Sequence, residues 1–206
     1  MKEIGSFIDL ELPLTDEWYS EKRYGKDIAR LNSGRAAIYY ACRCLNISTV
    51  YLPRYQCDTV RDFLLKKNIE VRYYNINSDY EPIHPKNEDD TAFLIVNYYG
   101  VMNSSRMQML ASKYKNVIID NSQAFFAKPI EGCMNVYSAR KFVGVPDGAY
   151  VIGKNASAYI DEYPESYSSD TALFLLQRIE YGCEGKTYQN RTENEKRIDR
   201  IGRAHV

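Results

Sequence analysis

The sequence has no surplus of either charge: 27 lysines and arginines stand against 27 aspartates and glutamates in 206 residues. Proteins that work mainly on nucleic acid or on an anionic membrane need a basic excess, so neither partner is expected here. Long apolar stretches are also missing. The longest runs without a polar side-chain atom, such as Ala92–Val96 and Ala172–Leu176, are five residues each, against the ~20 that a spanning helix needs. Histidine is scarce, with His84 in the loop PIHPKNEDD and His205 beside the C-terminus. A Ser-His-Asp or Cys-His mechanism would have to use one of them, and neither neighbourhood offers the partners. The five cysteines (Cys42, Cys44, Cys57, Cys133, Cys183) are an odd number without a framework spacing. Cys42 and Cys44, two apart in a helical pattern, point to different faces, which argues against a metal pair. The opening MKEIGSFIDLELPL carries acids where a secretory leader would be basic, so a cytoplasmic chain with reduced thiols is expected.

What is present suits a globular protein of one domain or slightly more, with 45% hydrophobic residues and 19 tyrosines. From about residue 30 the pattern alternates helix and strand. SGRAAIYYACRCL opens on Ser33 as an N-cap and runs apolar or aromatic at 36, 37, 38, 40 and 41. Strands are expected at TVYLP (49–53), EVRYYNI (70–76), TAFLIVNYYG (91–100), NVIID (116–120), MNVYS (134–138) and GAYVIG (148–153). Helices are expected at TVRDFLLKK and SRMQMLASKY. The order β-α-β-β-α-β-β-β implies an α/β/α three-layer sandwich with a mostly parallel sheet over residues 1–155. Residues 156–206 read as a helical tail or the start of a truncated second domain: a stripe at 172, 173, 175, 176 and 179, then a charged helix burying Ile198 and Ile201. No further strand is expected there.

In such a sheet, ligands sit at the carboxyl ends of the strands, near helix N-termini. Three features fall there. Asn32-Ser33-Gly34-Arg35-Ala36 starts a helix, so its free N–H groups and dipole could hold a phosphate, although Ser-Gly before a helix is also an ordinary cap. Asp120 ends a buried strand and is followed by Asn121, Ser122 and Gln123. It either closes an Asx turn or faces a cation such as a protonated ring nitrogen. Ser138-Ala139-Arg140-Lys141 follows another strand, and there partial burial and neighbouring charge would make Lys141 a candidate Schiff-base amine rather than a solvated lysine. A phosphate cradle, a carboxylate for a pyridinium nitrogen and an amine are the parts of a pyridoxal phosphate site.

The stretch from Ser33 to Gly153 resembles the large domain of fold-type-I pyridoxal phosphate enzymes, and most of all the DegT-type sugar aminotransferases. The motifs SGRAAI, VYLPRY, NYYG, IIDNSQA and YSARKFVGVPDGAYVIG stand in the family's order. The resemblance implies that Lys141 carries pyridoxal 5'-phosphate as a Schiff base and moves protons. Asp120 would keep the ring nitrogen protonated, and Gln123 would hydrogen-bond the phenolic oxygen or pack over the ring. Ser33, Gly34, Arg35 and Ser138 would hold the phosphate, Tyr55 would stack on the ring, and Asn97 would lie at the next strand end. It further implies an amino donor, a nucleotide-linked keto sugar as acceptor, a role in polysaccharide biosynthesis and a homodimer. The chain departs from the family at Arg35, where a threonine is usual, and at Cys57, where an aromatic is usual. It also has no counterpart of the smaller C-terminal domain. Those departures allow another outcome, a domain that binds the cofactor or serves in assembly without turnover. A plain nucleotide-binding domain is less consistent, since no GxGxxG is present.

Overall fold

The run Ala92–Val96 shows how the core is organised. In the computed structural model, which describes residues 16–84 and 86–204, it is a strand buried on both faces. Ala92, Leu94 and Val96 join one core, whereas Phe93 and Ile95 join a second on the opposite side. Successive strand side chains point to opposite faces, so a wholly apolar strand needs helices above and below. The layers are therefore helix, sheet and helix.

The elements are, in chain order, α1 (Glu21–Tyr24), β1 (Ile28–Leu31), α2 (Gly34–Cys44), β2 (Thr49–Pro53), α3 (Asp58–Lys66), β3 (Glu70–Ile76), β4 (Pro82–Ile83) and β5 (Ala92–Val96). They continue with α4 (Ser104–Ala111), β6 (Val117–Asp120), β7 (Met134–Ser138), β8 (Ala149–Ile152), β9 (Glu165–Ser166), α5 (Leu173–Tyr181), α6 (Lys186–Arg197) and β10 (Arg203–Ala204). The sheet order is β4-β3-β2-β5-β6-β7-β8-β1-β10-β9. Neighbours from β3 through β7 run parallel, β8 runs against β7, and β1 against β8. Helix α2 lies on the first core with Ala36, Ala37, Ile38, Tyr40, Ala41 and Cys42 buried, its alanines allowing close approach to the strands. Helix α4 covers the second core with Met107 and Leu110.

The chain moves from β2 to β3 on one side of the sheet and from β5 through β7 on the other. The reversal lies between β2 and β5, and ligand crevices of open α/β sheets form at the carboxyl ends beside such a reversal. Buried tyrosines tie these layers through their hydroxyls. Tyr40 donates to Ala156 O and Tyr74 to Leu94 O, each at 2.7 Å.

The C-terminal region departs from expectation. Helices α5 and α6 form, and Ile198 and Ile201 are buried. The chain then returns to the sheet: Arg203 pairs with Leu31 of β1 and with Glu165 of β9. A two-residue strand has no periodicity to read, and its pairing depends wholly on tertiary contact. Gly202 permits the approach, since a Cβ there would lie 2.7 Å from Ser166 Cβ. The opening residues and His205 lie outside the described residues. Among the described residues, no helix is long and apolar enough to cross a membrane.

Candidate functional site

Five segments meet at the carboxyl edge of the parallel strands: the start of α2, the loop after β2, the turn after β5, Asp120 with its following turn, and the end of β7. They line a cavity of about 290 Å³, at the lower end of the ~300–1,000 Å³ typical of small-molecule sites. Gly34, Arg35, Tyr55, Asp120, Gln123, Ser138 and Lys141 all face it. Two predicted residues do not line it, Ser33 and Asn97.

Asp120 is 3% exposed, and both oxygens have partners. Oδ1 accepts the Ser122 N–H at 2.9 Å, the Asx turn, while Oδ2 accepts from Gln56 Nε2 at 3.2 Å. The turn thus occupies one oxygen and leaves the other to Gln56. Gln56 Oε1 is buried without a hydrogen-bond partner, an acceptor left open beside the carboxylate. The loop that presents Gln56 is fixed from below, where the buried Tyr98 hydroxyl donates to Tyr55 O at 2.6 Å. Burial raises the Tyr98 phenol well above its ordinary value, which keeps it a donor.

After β5 the backbone turns through Tyr99 at φ 55°, in the left-handed region that costs a side-chain-bearing residue energy. That conformation aims the Tyr99 N–H at Gln123 Oε1, 3.3 Å away. Asn97 lies beneath, donating to Asn121 Oδ1 at 2.9 Å. It supports the floor rather than lining the cavity.

At α2, the Ser33 oxygen accepts the Ala36 N–H at 3.4 Å, so Ser33 is an N-cap. Gly34 faces Ser138: a Cβ at Gly34 would stand 3.6 Å from Ser138 Cβ and 3.8 Å from its Oγ, filling the gap between helix start and strand end. Lys141 closes the rim, with Nζ 3.3 Å from Ser122 Oγ. The sequence predicts partial burial for Lys141, but the structure leaves it exposed, because the turn after β7 carries it to the mouth. Tyr55 is 56% exposed and packs its ring on Tyr98 at 5.4 Å.

Three contributors were not anticipated in these positions. Gln56 sits between the two residues weighed for stacking, Tyr55 and Cys57, and nothing in its spacing marks it. Arg140, within the Ser-x-x-Lys spacing, and Glu195 of α6 also line the cavity. Arg140 Nη1 and Nη2 both donate to the Glu195 carboxylate, and Arg35 Nη1 lies 3.3 Å from Glu195 Oε2. The run Gly148–Lys154 has the G-x-x-x-x-G-K spacing of a phosphate loop, but it is followed by Asn155 and largely forms strand β8.

The fold is shared with solved structures of known class. The chain is similar to an aminotransferase from Psychrobacter cryohalolentis at 18% identity and TM-score 0.51, over 66% of this chain and 41% of that one. It is similar to the sugar aminotransferase CalS13 from Micromonospora echinospora at 15% identity and TM-score 0.51, over 68% and 47%. It is also similar to L-threonine-O-3-phosphate decarboxylase from Porphyromonas gingivalis at 16% identity and TM-score 0.51, over 69% and 50%. The chain therefore spans half or less of each of these proteins. At these identities the likeness establishes the fold, that of the large domain of fold-type-I aminotransferases. No protein-family model and no curated protein matches the chain.

Proposed function

We propose that this chain is the cofactor-binding domain of a pyridoxal phosphate-dependent aminotransferase of the DegT type. One observation carries the reading: Asp120, Gln123, Ser138, Gly34 and Lys141, from three separate strand-end segments, line a single cavity. The residues fit the cofactor on three counts. A buried carboxylate faces the floor, a gap without a side chain separates Gly34 from Ser138, and a primary amine stands at the mouth.

When bound, the cofactor supplies an electron sink for amino-group transfer. Asp120 would hold the ring nitrogen in its protonated form through charge and hydrogen bonding. Gln123 would meet the phenolic oxygen. Gly34 at the α2 N-terminus, with Arg35 and Ser138, would receive the phosphate. Lys141 Nζ would attach the cofactor and, once freed, take and return a proton, and Ser122 Oγ already orients it. Tyr55 is the aromatic available to cover the ring. The DegT resemblance supports an amino acid as donor, a nucleotide-linked keto sugar as acceptor and a cytoplasmic homodimer.

A second reading, binding without turnover, is favoured by Arg35 and Cys57, which stand where the resembled family has a threonine and an aromatic, and by the pairing of Arg35 with Glu195. Full-length protein loaded with pyridoxal phosphate and mixed with L-glutamate separates the two. Conversion to pyridoxamine phosphate, followed by absorbance, supports the transferase. A stable bound cofactor that never converts with any amino donor supports the second reading, and no binding at all refutes both.

A further inference from the structure

The cationic side of the cavity already holds an anion, and that anion belongs to the chain. Glu195 stands on the last turn of α6, and two guanidiniums grip it. Arg140 takes the carboxylate with both terminal nitrogens, Nη2 at 3.3 Å. Arg35 reaches Oε2 with Nη1 at 3.3 Å and the Glu195 carbonyl with Nη2 at 3.0 Å. Arg35 Nε also lies 3.2 Å from Asp199 Oδ1, within ion-pair range though not aligned as a hydrogen bond. The Arg35 side chain is only 10% exposed. Burial of Glu195 disfavours its charge, but hydrogen bonds and charge from Arg140 and Arg35 outweigh it and hold the carboxyl below its ordinary range.

The two arginines come from the segments that supply Gly34 and Ser138, and all four line the same cavity as Glu195. A guanidinium binds phosphate with the same paired geometry it offers a carboxylate. We propose that Arg35 and Arg140 are the cationic wall of the phosphate cradle, and that Glu195 occupies it as a built-in competitor, so that docked α6 and bound cofactor phosphate exclude one another. The proposal rests on the cofactor assignment above. Charge supports the exclusion. Glu195 and Asp199 already face the two arginines, with Asp199 shared by Lys66, and a phosphate carrying about −1.5 to −2 beside these carboxylates would place like charges in contact. Departure of α6 also has a consequence for space. A neighbouring cavity of about 420 Å³ shares Arg140, Lys141 and Glu195 with the first and is walled by Tyr188, Arg191 and Asn194 of α6, so withdrawing the helix opens both.

The test compares pyridoxal phosphate with pyridoxal, which has the aldehyde and ring but no phosphate, on full-length wild type and Glu195→Gln. Glu195→Gln should bind pyridoxal phosphate roughly tenfold more tightly while pyridoxal binding stays within about twofold. In the wild type, inorganic phosphate alone should raise amide hydrogen exchange across residues 186–197, a readout that needs no variant. Equal or weaker pyridoxal phosphate binding by Glu195→Gln, with pyridoxal attaching to Lys141 in both proteins, overturns the competition and leaves the cofactor site standing. Unchanged exchange in α6 at saturating phosphate overturns it as well. Failure of both probes to attach to Lys141 removes the cofactor assignment itself.

Discussion

Replacing Asp120 separates its turn-closing role from the ligand-holding role proposed for it. The carboxylate is 3% exposed, with Oδ1 accepting from Ser122 N–H at 2.9 Å and Oδ2 from Gln56 Nε2 at 3.2 Å. In Asp120→Asn the side-chain oxygen keeps the Ser122 bond. The new amide can donate to Gln56 Oε1, which is buried and unpartnered, once the Gln56 amide turns over. The turned amide leaves Gln56 Nε2 without a partner where Oε1 had been, so the number of unpartnered buried atoms is unchanged and folding stability should change by less than about 1 kcal/mol. Asp120→Ala instead strands the Ser122 N–H and the Gln56 amide, at roughly 1–3 kcal/mol each. For a chain of this size that corresponds to a fall in Tm of roughly 5–15 °C. The neutral amide of Asp120→Asn cannot hold a cationic ring nitrogen. Losing a charge-assisted hydrogen bond of roughly 1.5–3 kcal/mol should weaken pyridoxal phosphate binding about 10- to 100-fold. Circular dichroism melts beside an absorbance titration with the cofactor measure both effects. If Asp120→Asn melts like the wild type and also binds the cofactor like the wild type, the carboxylate is only a turn cap and the reasoning fails.

Tyr98→Phe removes the hydroxyl that fixes the loop after β2 and should cost about 1 kcal/mol, seen as a drop of roughly 2–4 °C in Tm. An unchanged melt would show that the loop is held by other contacts. A thiol-reactive dye should label the exposed Cys57 and Cys183 first, and bound cofactor should shield Cys57, which lines the cavity. Burial pushes Cys42 up to about 12 and Cys44 and Cys133 up to about 11, so these should label slowly, and Cys42 only on unfolding. Rapid labelling of Cys42 in the folded protein would contradict the packing of α2. The Glu195 carboxyl titrates below its ordinary value of ~4.3, so its contribution is complete above that pH and lost as pH falls through the lower folded value. Hydrogen exchange in α6, corrected for intrinsic rates, should rise on acidification from about pH 6 to about pH 3 more in wild type than in Glu195→Gln. Equal responses would mean the carboxylate does not hold the helix.

The parts of the fold visible in the sequence are those where a local pattern and the tertiary requirement coincide. Ala92–Val96 and the Val117–Ile119 stretch of NVIID are apolar because helices cover both faces of their strands, and the Ser33 cap marks the start of α2. Strand β1 went unread because Arg30 interrupts its four residues, and only the tertiary pairs with Glu17 and Glu21 satisfy that charge. The strands β9 and β10 exist by pairing alone. At the cavity, the placement of Asp120 and Lys141 was legible because each stands at or just after the carboxyl end of a strand. Gln56, the strained Tyr99 and the reach of Glu195 from α6 to Arg35 and Arg140 depend on three-dimensional approach. A glutamate within a charged helix gives no warning of it.

The central claim is that Lys141 is the amine of a pyridoxal phosphate site. Full-length folded protein is incubated with pyridoxal phosphate, reduced with borohydride, digested and mapped by mass spectrometry. A reduced pyridoxyl phosphate adduct on Lys141, absent from Lys141→Ala and not matched on the other exposed lysines, is the predicted result. Folded protein with no adduct at Lys141, or with adducts spread evenly over the surface lysines, contradicts it.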